Sequence, residues 1–559
     1  MQKHSKLLST LALSLLSTAI YAAPVAPDAG QTSRELQKQP ELAPAKPDPV
    51  ILQPETGPAP PVASNGGERI AIKAIHVTGN RVFGADVLER VVAHWAGAGH
   101  TLADLDEAAA SITAYYRQRG YLLAQAYLPE QEIADGILVI SVIEGQIGQV
   151  NIDNRSRLSD KAGRKHLDRV QAGAALQAQQ VDRAVLLLND TPGVGGTRAS
   201  LQPGASVGTT DLLIELDPAA PYQATAELDN YGNRYTGEYR AGGALALDSP
   251  LGIGDQLSVR ALASDGGMSY VRLAYQAPVG GDGLRVGVAY ADTRYKLGKE
   301  FAALQAHGVA GNASVYAAYP FIRGQQNNLS GTAMYESKKL ADYTDAPASA
   351  TDKKVQLINL GLSGNRRDTL HGAGMTSFDL SLVGGNLGMD AGSLATDAVS
   401  ANSNGSYTKL GYSFSRLQRL TDKDTLSLAF SGQQANKNLN SSEKFSLGGA
   451  GGVRAYPQGE GSGDLGWMAN VEVRHTLKDN LQALAFYDAG SVTINRTPYA
   501  AAENSRSIAG AGVGANARYR QLQFKTALAW RTGAGGGPQS EPEGVSRNPR
   551  LWVQVSAAF

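Results

Sequence analysis

Alternation of apolar and polar positions is the dominant pattern in the carboxyl-terminal part of the chain. From Tyr222 onward, segments of roughly 8 to 14 residues repeat with a period of two, which is typical of β-strands with two unlike faces. The pattern predicts sixteen such strands, and an even number is expected of a bacterial membrane barrel. The predicted strands span 223–231, 235–247, 255–264, 268–278, 284–297, 311–323, 327–340, 353–366, 372–387, 405–417, 424–435, 466–476, 481–493, 506–517, 521–532 and 550–559.

The connections between these strands alternate in length. Short turns on the periplasmic side and long loops outside are the usual asymmetry of an outer-membrane barrel whose amino terminus lies inside. Connections after even-numbered strands are short, at 248–254, 279–283 and 476–480. Several after odd-numbered strands are long, at 341–352, 388–404, 436–465 and 533–549.

The two faces of the strands favour a barrel over a soluble sandwich. In the strand 466–476, Trp467 and Val471 fall on one face, while Glu472 and Arg474 fall on the other. A sandwich needs a dry interior, whereas a barrel tolerates charge on a wet inner wall. A ten-residue strand tilted by 45° spans about 24 Å, close to an apolar band of about 25 Å. The pattern therefore predicts a transmembrane β-barrel of 16 antiparallel strands over 219–559.

Helical periodicity precedes the barrel in two successive stretches of similar order. In 68–146, an apolar stripe over 85–96 indicates one helix, and Thr101 with Asp104 predicts the start of a second helix that ends before Gly120. In 147–218, helical stretches near 160–170 and 179–189 lie between strands. The repeat predicts two α+β domains of order β-α-α-β-β.

The amino-terminal segments have the composition of export and linker sequences. Residues 1–22 combine Lys3 and Lys6 with an apolar run of about 13 residues, which indicates a cleaved signal peptide because it is too short to span a bilayer. Residues 23–67 contain ten of the 24 prolines and predict an extended linker, with a weak helix signal over 33–39.

Composition excludes several kinds of chemistry. Basic and acidic residues balance at 51 each, so no nucleic-acid partner is expected, and the chain has no cysteine for disulfides or metal thiolates. The glycine-rich run at 510–515 lacks the strand–turn–helix setting of a nucleotide loop. The histidines show no ligand spacing, and no nucleophile stands with a base. We therefore expect no enzyme activity, no cofactor and no metal site.

Two motifs carry a resemblance to a known family. The predicted sixth external loop contains LGGAGGVRAYP at 447–457, and the thirteenth strand contains FYDAG at 486–490. Both resemble signatures of the outer-membrane transporters of two-partner secretion (TpsB type), the haemolysin secretion/activation proteins. The wider superfamily of these transporters combines POTRA domains with a barrel. The resemblance implies two POTRA domains, at 68–146 and 147–218, and a short plug helix is possible in the linker.

The resemblance also implies roles for individual residues. Val453, Arg454, Ala455 and Tyr456 form the pore-loop motif, and Phe486, Asp488 and Gly490 form its anchor on the lumenal wall. The family pairs the loop arginine with the strand aspartate, here Arg454 with Asp488. Ala455 stands where glycine is usual, which questions a positive φ at that position. Phe559 resembles the terminal aromatic residue by which barrel proteins are recognised for insertion.

The implied function is export of a partner exoprotein from the periplasm across the outer membrane. The partners would be a secreted adhesin- or haemolysin-like exoprotein, outer-membrane lipid, and the barrel-assembly machinery that inserts the chain. The POTRA domains would lie in the periplasm and capture the exoprotein by strand addition. Activation of the cargo in addition to its export is an alternative that stays open. Two alternative functions also stay open: a barrel-assembly factor of the same superfamily, and a passive porin.

Overall fold

Two short ordered segments precede the first domain-like unit of the computed structural model. The structure describes residues 26–37, 50–52, 69–206, 208–533 and 535–559, so the predicted signal peptide 1–22 lies outside the described residues. Helix α1 spans Ala29–Gln37, and strand β1 spans Val50–Leu52.

Two segments of the predicted Pro-rich linker are ordered, one as a helix that overlaps the weak helix signal and one as a short strand. Helix α1 begins at Ala29 rather than at residue 33, and most of its side chains are buried. It lies inside the barrel, where it contacts three neighbouring strands and the sixth loop. The segment cannot form a core of its own, but the barrel wall supplies the surface against which it folds.

The first module, residues 69–145, has the predicted α+β order, except that its first strand is divided in two and one further strand follows the first helix. The strand Gly97–His100 was not predicted, and it pairs with Ile70 and Ile72 through only two registered positions. The elements are β2 (Ile70–Ile72), β3 (Ala74–Thr78), α2 (Ala85–Val92), β4 (Gly97–His100), α3 (Leu102–Gln118), β5 (Gln125–Tyr127) and β6 (Ile137–Ile143).

Local capping and a buried carboxylate organise this first module. Thr101 and Asp104 form the predicted start of α3, since each side chain accepts a hydrogen bond from the other residue's backbone N–H. Glu144 is buried and accepts hydrogen bonds from Arg81 N, Val82 N and the Tyr116 hydroxyl at 2.7, 2.7 and 2.8 Å. Burial, together with this bond, raises the pKa of Tyr116.

The second module, residues 146–218, contains two helices and a four-stranded sheet. One strand of this sheet is β1 of the linker. Its elements are β7 (Gln146–Asn154), α4 (Asp160–Lys165), α5 (Ala178–Asp190), β8 (Val194–Pro203) and β9 (Thr209–Pro218). The strand order is β1-β8-β9-β7. Strand β1 runs parallel to β8, with Val50 opposite Arg198, and so covers one edge of the sheet.

The closed barrel of 16 antiparallel strands is confirmed. No helix of the described residues is long and apolar enough to cross a membrane. The strands before the sixth loop are β10 (Tyr222–Asp229), β11 (Arg240–Asp248), β12 (Gln256–Ser264), β13 (Ser269–Val279), β14 (Leu284–Lys296), β15 (His307–Arg323), β16 (Asn327–Asp345), β17 (Ala348–Asp368), β18 (Gly374–Met389), β19 (Gly405–Arg419) and β20 (Asp424–Ala435), with helix α6 (Ala391–Ala398) after β18. The sixth loop holds β21 (Phe445–Ser446) and β22 (Ser462–Gly463), and the barrel closes with β23 (Leu465–Lys478), β24 (Leu481–Thr493), β25 (Ser505–Tyr519), β26 (Leu522–Thr532) and β27 (Arg550–Ala558).

Three predicted boundaries in the barrel are wrong. The predicted loop 341–352 is mostly strand, because β16 and β17 stay paired up to Asp345 and Ala348. The predicted loop 388–404 contains α6. The predicted strand 235–247 begins only at Arg240. Polar residues beyond the apolar band resemble a loop in the sequence. The strands nevertheless stay paired there, because backbone hydrogen bonds between strands continue outside the membrane.

The second module is fixed to one end of the barrel. Arg323 on the turn side of β15 forms a forked ion pair with Asp190 at 2.6 and 2.8 Å. Arg183 donates to the carbonyl of Pro320 at 2.7 Å, and His166 Nδ1 donates to the carbonyl of Gly281 at 2.8 Å. The second module therefore lies at the end of the barrel that has the short turns, and this end is the amino-terminal side.

The carboxyl-terminal strand closes the barrel against the first. Backbone hydrogen bonds join Phe559 N to Ala224 O at 2.8 Å and Ala224 N to Phe559 O at 3.2 Å. The ring of Phe559 is exposed on the barrel surface. Its role as an insertion signal stays a prediction.

Candidate pore-loop anchor

Loop 6, the connection 436–464 between β20 and β23, folds back into the barrel. Its stem is held by the short pair β21–β22, with Phe445 opposite Gly463. The side chains of Val453, Ala455 and Tyr456 at its tip are buried against the wall. A loop with this many apolar residues gains stability by covering them on the lumenal surface.

Arg454 is bound by two carboxylates on neighbouring strands. Its Nε and Nη2 donate to Asp488 Oδ2 and Oδ1 at 2.8 and 2.9 Å, and its Nη1 donates to Glu472 Oε2 at 2.6 Å. The backbone N–H of Arg454 also donates to Asp488, at 3.1 Å. Asp488 is completely buried and accepts a further hydrogen bond from Asn470 at 2.8 Å. A forked pair of this kind fixes both position and orientation.

Two aromatic side chains complete the surroundings of Arg454. The guanidinium carbon lies 3.4 Å from the centroid of the Phe486 ring, a cation–π contact. Trp552 on β27 donates its Nε1–H to the carbonyl of Arg454 at 2.7 Å. Trp552 faces inward, since its neighbours Leu551 and Val553 are exposed on the outer wall and Trp552 is buried. The sequence carried no signal that its partner would be loop 6.

Glycines on the wall make room for the loop. A Cβ atom built on Gly490 would lie 2.6 Å from Leu447 Cδ2, and one built on Gly510 would lie 2.4 Å from Ala455 Cβ. One built on Gly512 would lie 2.3 Å from the Phe486 ring. The glycine-rich run on β25 is therefore a groove that accepts the loop. Ala455 is not among the residues with positive φ, so alanine is tolerated there.

A Gly510→Val substitution is expected to displace loop 6 and reduce export several-fold, because the new side chain would overlap Ala455. Ala511→Val on the outward face of the same strand is the matched control and should leave export unchanged. The measurement is partner exoprotein in the medium, normalised to folded barrel seen as heat-modifiable mobility. Equal export by the two variants would contradict a role for the groove.

A second tie joins loop 6 to loop 8, the connection 533–549. Glu460 is almost fully buried and accepts from Arg506 Nη2 at 2.9 Å. The same carboxylate accepts from the backbone N–H groups of Gln539 and Ser540 at 3.0 and 2.9 Å. Tyr456 adds a hydrogen bond from its hydroxyl to Gly536 O at 3.1 Å. The sequence pattern did not reveal this tie, because its members are far apart in the chain.

Helix α1 fills the lumen beside loop 6. The guanidinium of Arg34 donates to the carbonyls of Ser441 and Lys444 in the loop. Asp28, just before the helix, accepts from the Ser441 hydroxyl at 2.6 Å. On the opposite wall, Asn312 donates to Ser33 Oγ at 2.8 Å. The helix thus bridges loop 6 and the wall inside the lumen.

Comparison with known proteins gives two family matches. The family model described as haemolysin secretion/activation protein ShlB/FhaC/HecB matches residues 208–517, more than half of the chain. The model described as POTRA domain, ShlB-type, matches residues 70–145. The chain is 29% identical over 498 residues to the heme/hemopexin transporter protein HuxB of Haemophilus influenzae (strain 86-028NP), which covers 87% of each chain. It is 26% identical over 430 residues to the hemolysin transporter protein ShlB of Serratia marcescens, which covers 75% of this chain and 74% of that relative.

Solved structures share the fold at low sequence identity. CdiB from Escherichia coli has a TM-score of 0.74 at 19% identity, covering 95% of this chain and 96% of that one. CdiB from Acinetobacter baumannii has a TM-score of 0.68 at 17% identity, covering 96% and 100%. The chain therefore belongs to the haemolysin secretion/activation protein family ShlB/FhaC/HecB, the outer-membrane transporters of two-partner secretion.

Proposed function

We propose that the chain captures an unfolded adhesin- or haemolysin-like exoprotein with its two periplasmic modules and exports it through the barrel. The observation that carries this proposal is that one linker joins two sites. Its helix α1 lies in the lumen of the barrel, and its strand β1 pairs with the sheet of the second module. A channel for small solutes has no use for such a connection. Among the relatives, one is named for heme/hemopexin transport and another for hemolysin transport.

Capture by strand addition fits the edges of the module sheets. Strand β1 already lies on the edge of β8, so this edge accepts an extended segment. Main-chain hydrogen bonds then give affinity, and side chains on alternate positions give selectivity. We assign residues 147–218 the same POTRA role as the matched first module. A cargo segment that replaces β1 would free the linker that joins it to α1.

Opening of the pore then requires α1 to leave the lumen. Its polar contacts with loop 6 and the wall are hydrogen bonds that water can replace. Ala29 and Leu36 of the helix also pack in an apolar cluster of the lumen, and this cluster is exposed when the helix leaves. No nucleotide-binding motif was found, and folding of the cargo outside the cell would make its passage irreversible. The anchored loop 6 would keep the pore lining in place while the helix moves.

Insertion of the chain itself needs other partners. We propose that the barrel-assembly machinery recognises the terminal strand with Phe559, and that lipid surrounds the apolar outer wall. The absence of cofactors, of metal and of catalysis stays a prediction.

Depletion of the chain tests this function against the two alternatives. Loss of the chain should retain one exoprotein inside the cell and leave the amounts of other outer-membrane barrels unchanged. A general fall in barrels would indicate an assembly factor. Unchanged exoprotein export, with slower uptake of small solutes, would indicate a porin. Re-expression of the full chain should restore export, and a chain without residues 69–218 should not.

A further inference from the structure

Two lysines face each other on the outer wall of the barrel near its extracellular rim. Lys339 on β16 lies directly opposite Lys354 on β17 in the strand register, and both side chains are exposed. Their chain neighbours Lys338 and Val355 are buried on the lumenal side, so alternation directs the exposed pair outward. Like charges directly opposite one another destabilise a sheet.

The protein supplies no ion-pair partner to either lysine within its described residues. The same cross-strand row contains Asp292, Gly311, Lys339, Lys354 and Gly388 in order. Asp292, the one carboxylate of this row, is bound by Arg294 at 2.9 Å. Asp352 lies in the next outward row and forms no ion pair with either lysine among the described residues. The two ammonium groups therefore form a positive site on the wall.

The site lies just above the apolar band. Two rows closer to the middle of the barrel, the outward residues are Val288, Val315, Tyr335 and Ile358, and all four are exposed. Four residues along a strand tilted by 45° correspond to a height of roughly 10 Å. The hairpin beyond the lysines is at the end opposite the second module. The lysines are therefore at the level of the outer-leaflet headgroups.

The surface beside the pair is open on the side of Lys354. A Cβ atom on Gly311 would meet the Tyr290 hydroxyl at 3.2 Å as its nearest neighbour, and one on Gly388 would meet only the Lys354 carbonyl at 4.0 Å. Gly388 thus leaves a shallow notch in the wall beside Lys354, whereas Tyr290 lies against Gly311 on the other side of the pair. A bulky polar headgroup can approach both ammonium groups there.

We propose that Lys339 and Lys354 bind a phosphate of a glycolipid headgroup in the outer leaflet. A phosphate between the two ammonium groups removes their repulsion, and lysine binds phosphate as a point charge. The apolar rows beneath contact the acyl chains of the same lipid. The site is thus a specific contact between this barrel and the outer leaflet.

Retention of lipid A by the detergent-purified full chain tests the site. Native mass spectrometry of the wild type should show bound phosphorylated lipid A. The Lys339→Gln/Lys354→Gln variant should bind it about 25-fold more weakly, since each lysine at an anionic surface contributes roughly a fivefold factor. The matched control is Lys423→Gln/Lys478→Gln, which removes two exposed lysines at the periplasmic turns and should retain the lipid. Lys339→Arg/Lys354→Arg should also retain it.

Two further probes separate the lipid from free phosphate. Dephosphorylated lipid A and inorganic phosphate should each fail to bind the wild type in the same experiment. Equal retention of lipid A by the Lys339→Gln/Lys354→Gln variant would overturn the proposal. So would equal retention of dephosphorylated lipid A, or capture of inorganic phosphate alone. Heat-modifiable mobility shows that each variant is folded before it is compared.

Discussion

An Asp488→Ala substitution is expected to abolish export of the partner exoprotein while the barrel still inserts. Asp488 is fully buried and holds Arg454 by a forked ion pair, so its removal leaves a buried guanidinium with Glu472 alone. Breaking a buried pair in this way costs about 3–5 kcal/mol. Since loop 6 rests on this pair, we expect the tip of the loop to leave the wall.

Labelling of a cysteine reports the position of the loop in this experiment. Val453 is buried, and the chain has no native cysteine, so Val453→Cys should be unreactive in the wild type and reactive with Asp488→Ala. Asp379→Ala, which removes a carboxylate from the lumenal face of β18 without touching loop 6, is the control. Arg454→Ala should match Asp488→Ala, and the double variant should add little. Normal export by an inserted, reactive Asp488→Ala protein would remove the anchor from the mechanism.

Fixing α1 inside the lumen is expected to stop export completely. Ser33 Oγ and Asn312 Nδ2 are 2.8 Å apart, so Ser33→Cys/Asn312→Cys places two thiols within reach of a disulfide or a short thiol cross-linker. If the helix must leave for cargo to pass, the cross-linked protein retains cargo in the periplasm. A reductant that opens the disulfide should restore export in the same cells.

Single-cysteine variants provide the comparison for the cross-link. Ser33→Cys and Asn312→Cys alone lose one hydrogen bond each, and both should export normally under oxidising conditions. The fraction of cross-linked chain, measured by mass, should equal the fraction of export that is lost. Export by a fully cross-linked chain would show that cargo passes with α1 in place.

The barrel could be predicted from sequence because its signal is local and repeated. Each strand carries its own alternation, and lipid outside and water inside impose the same pattern on all of them. The ends of the strands were harder to predict than their existence. The paired hairpin at 341–352, for example, is polar on both faces and resembles a loop. There, hydrogen bonds to a neighbouring strand decide the conformation, and a single strand does not contain that information.

The residues around Arg454 show the same limit of prediction from sequence. Arg454 and Asp488 were identified through motif resemblance, and the structure places them in direct contact. Glu472 was assigned to the lumen without a partner, and Trp552, Glu460 and Arg506 were not assigned at all. Their contacts join segments that are distant in the chain, so no spacing in the sequence indicates them.

The sequence by itself determined two α+β modules, a ring of sixteen strands and a loop motif, because these depend on periodicity and on short local patterns. Only the tertiary structure decided what occupies the interior. Residues 29–37 are too polar to form a core of their own, and they become an ordered helix because the barrel wall and loop 6 supply partners for Arg34, Ser33 and Leu36. The helix in the lumen is therefore a property of the assembled barrel.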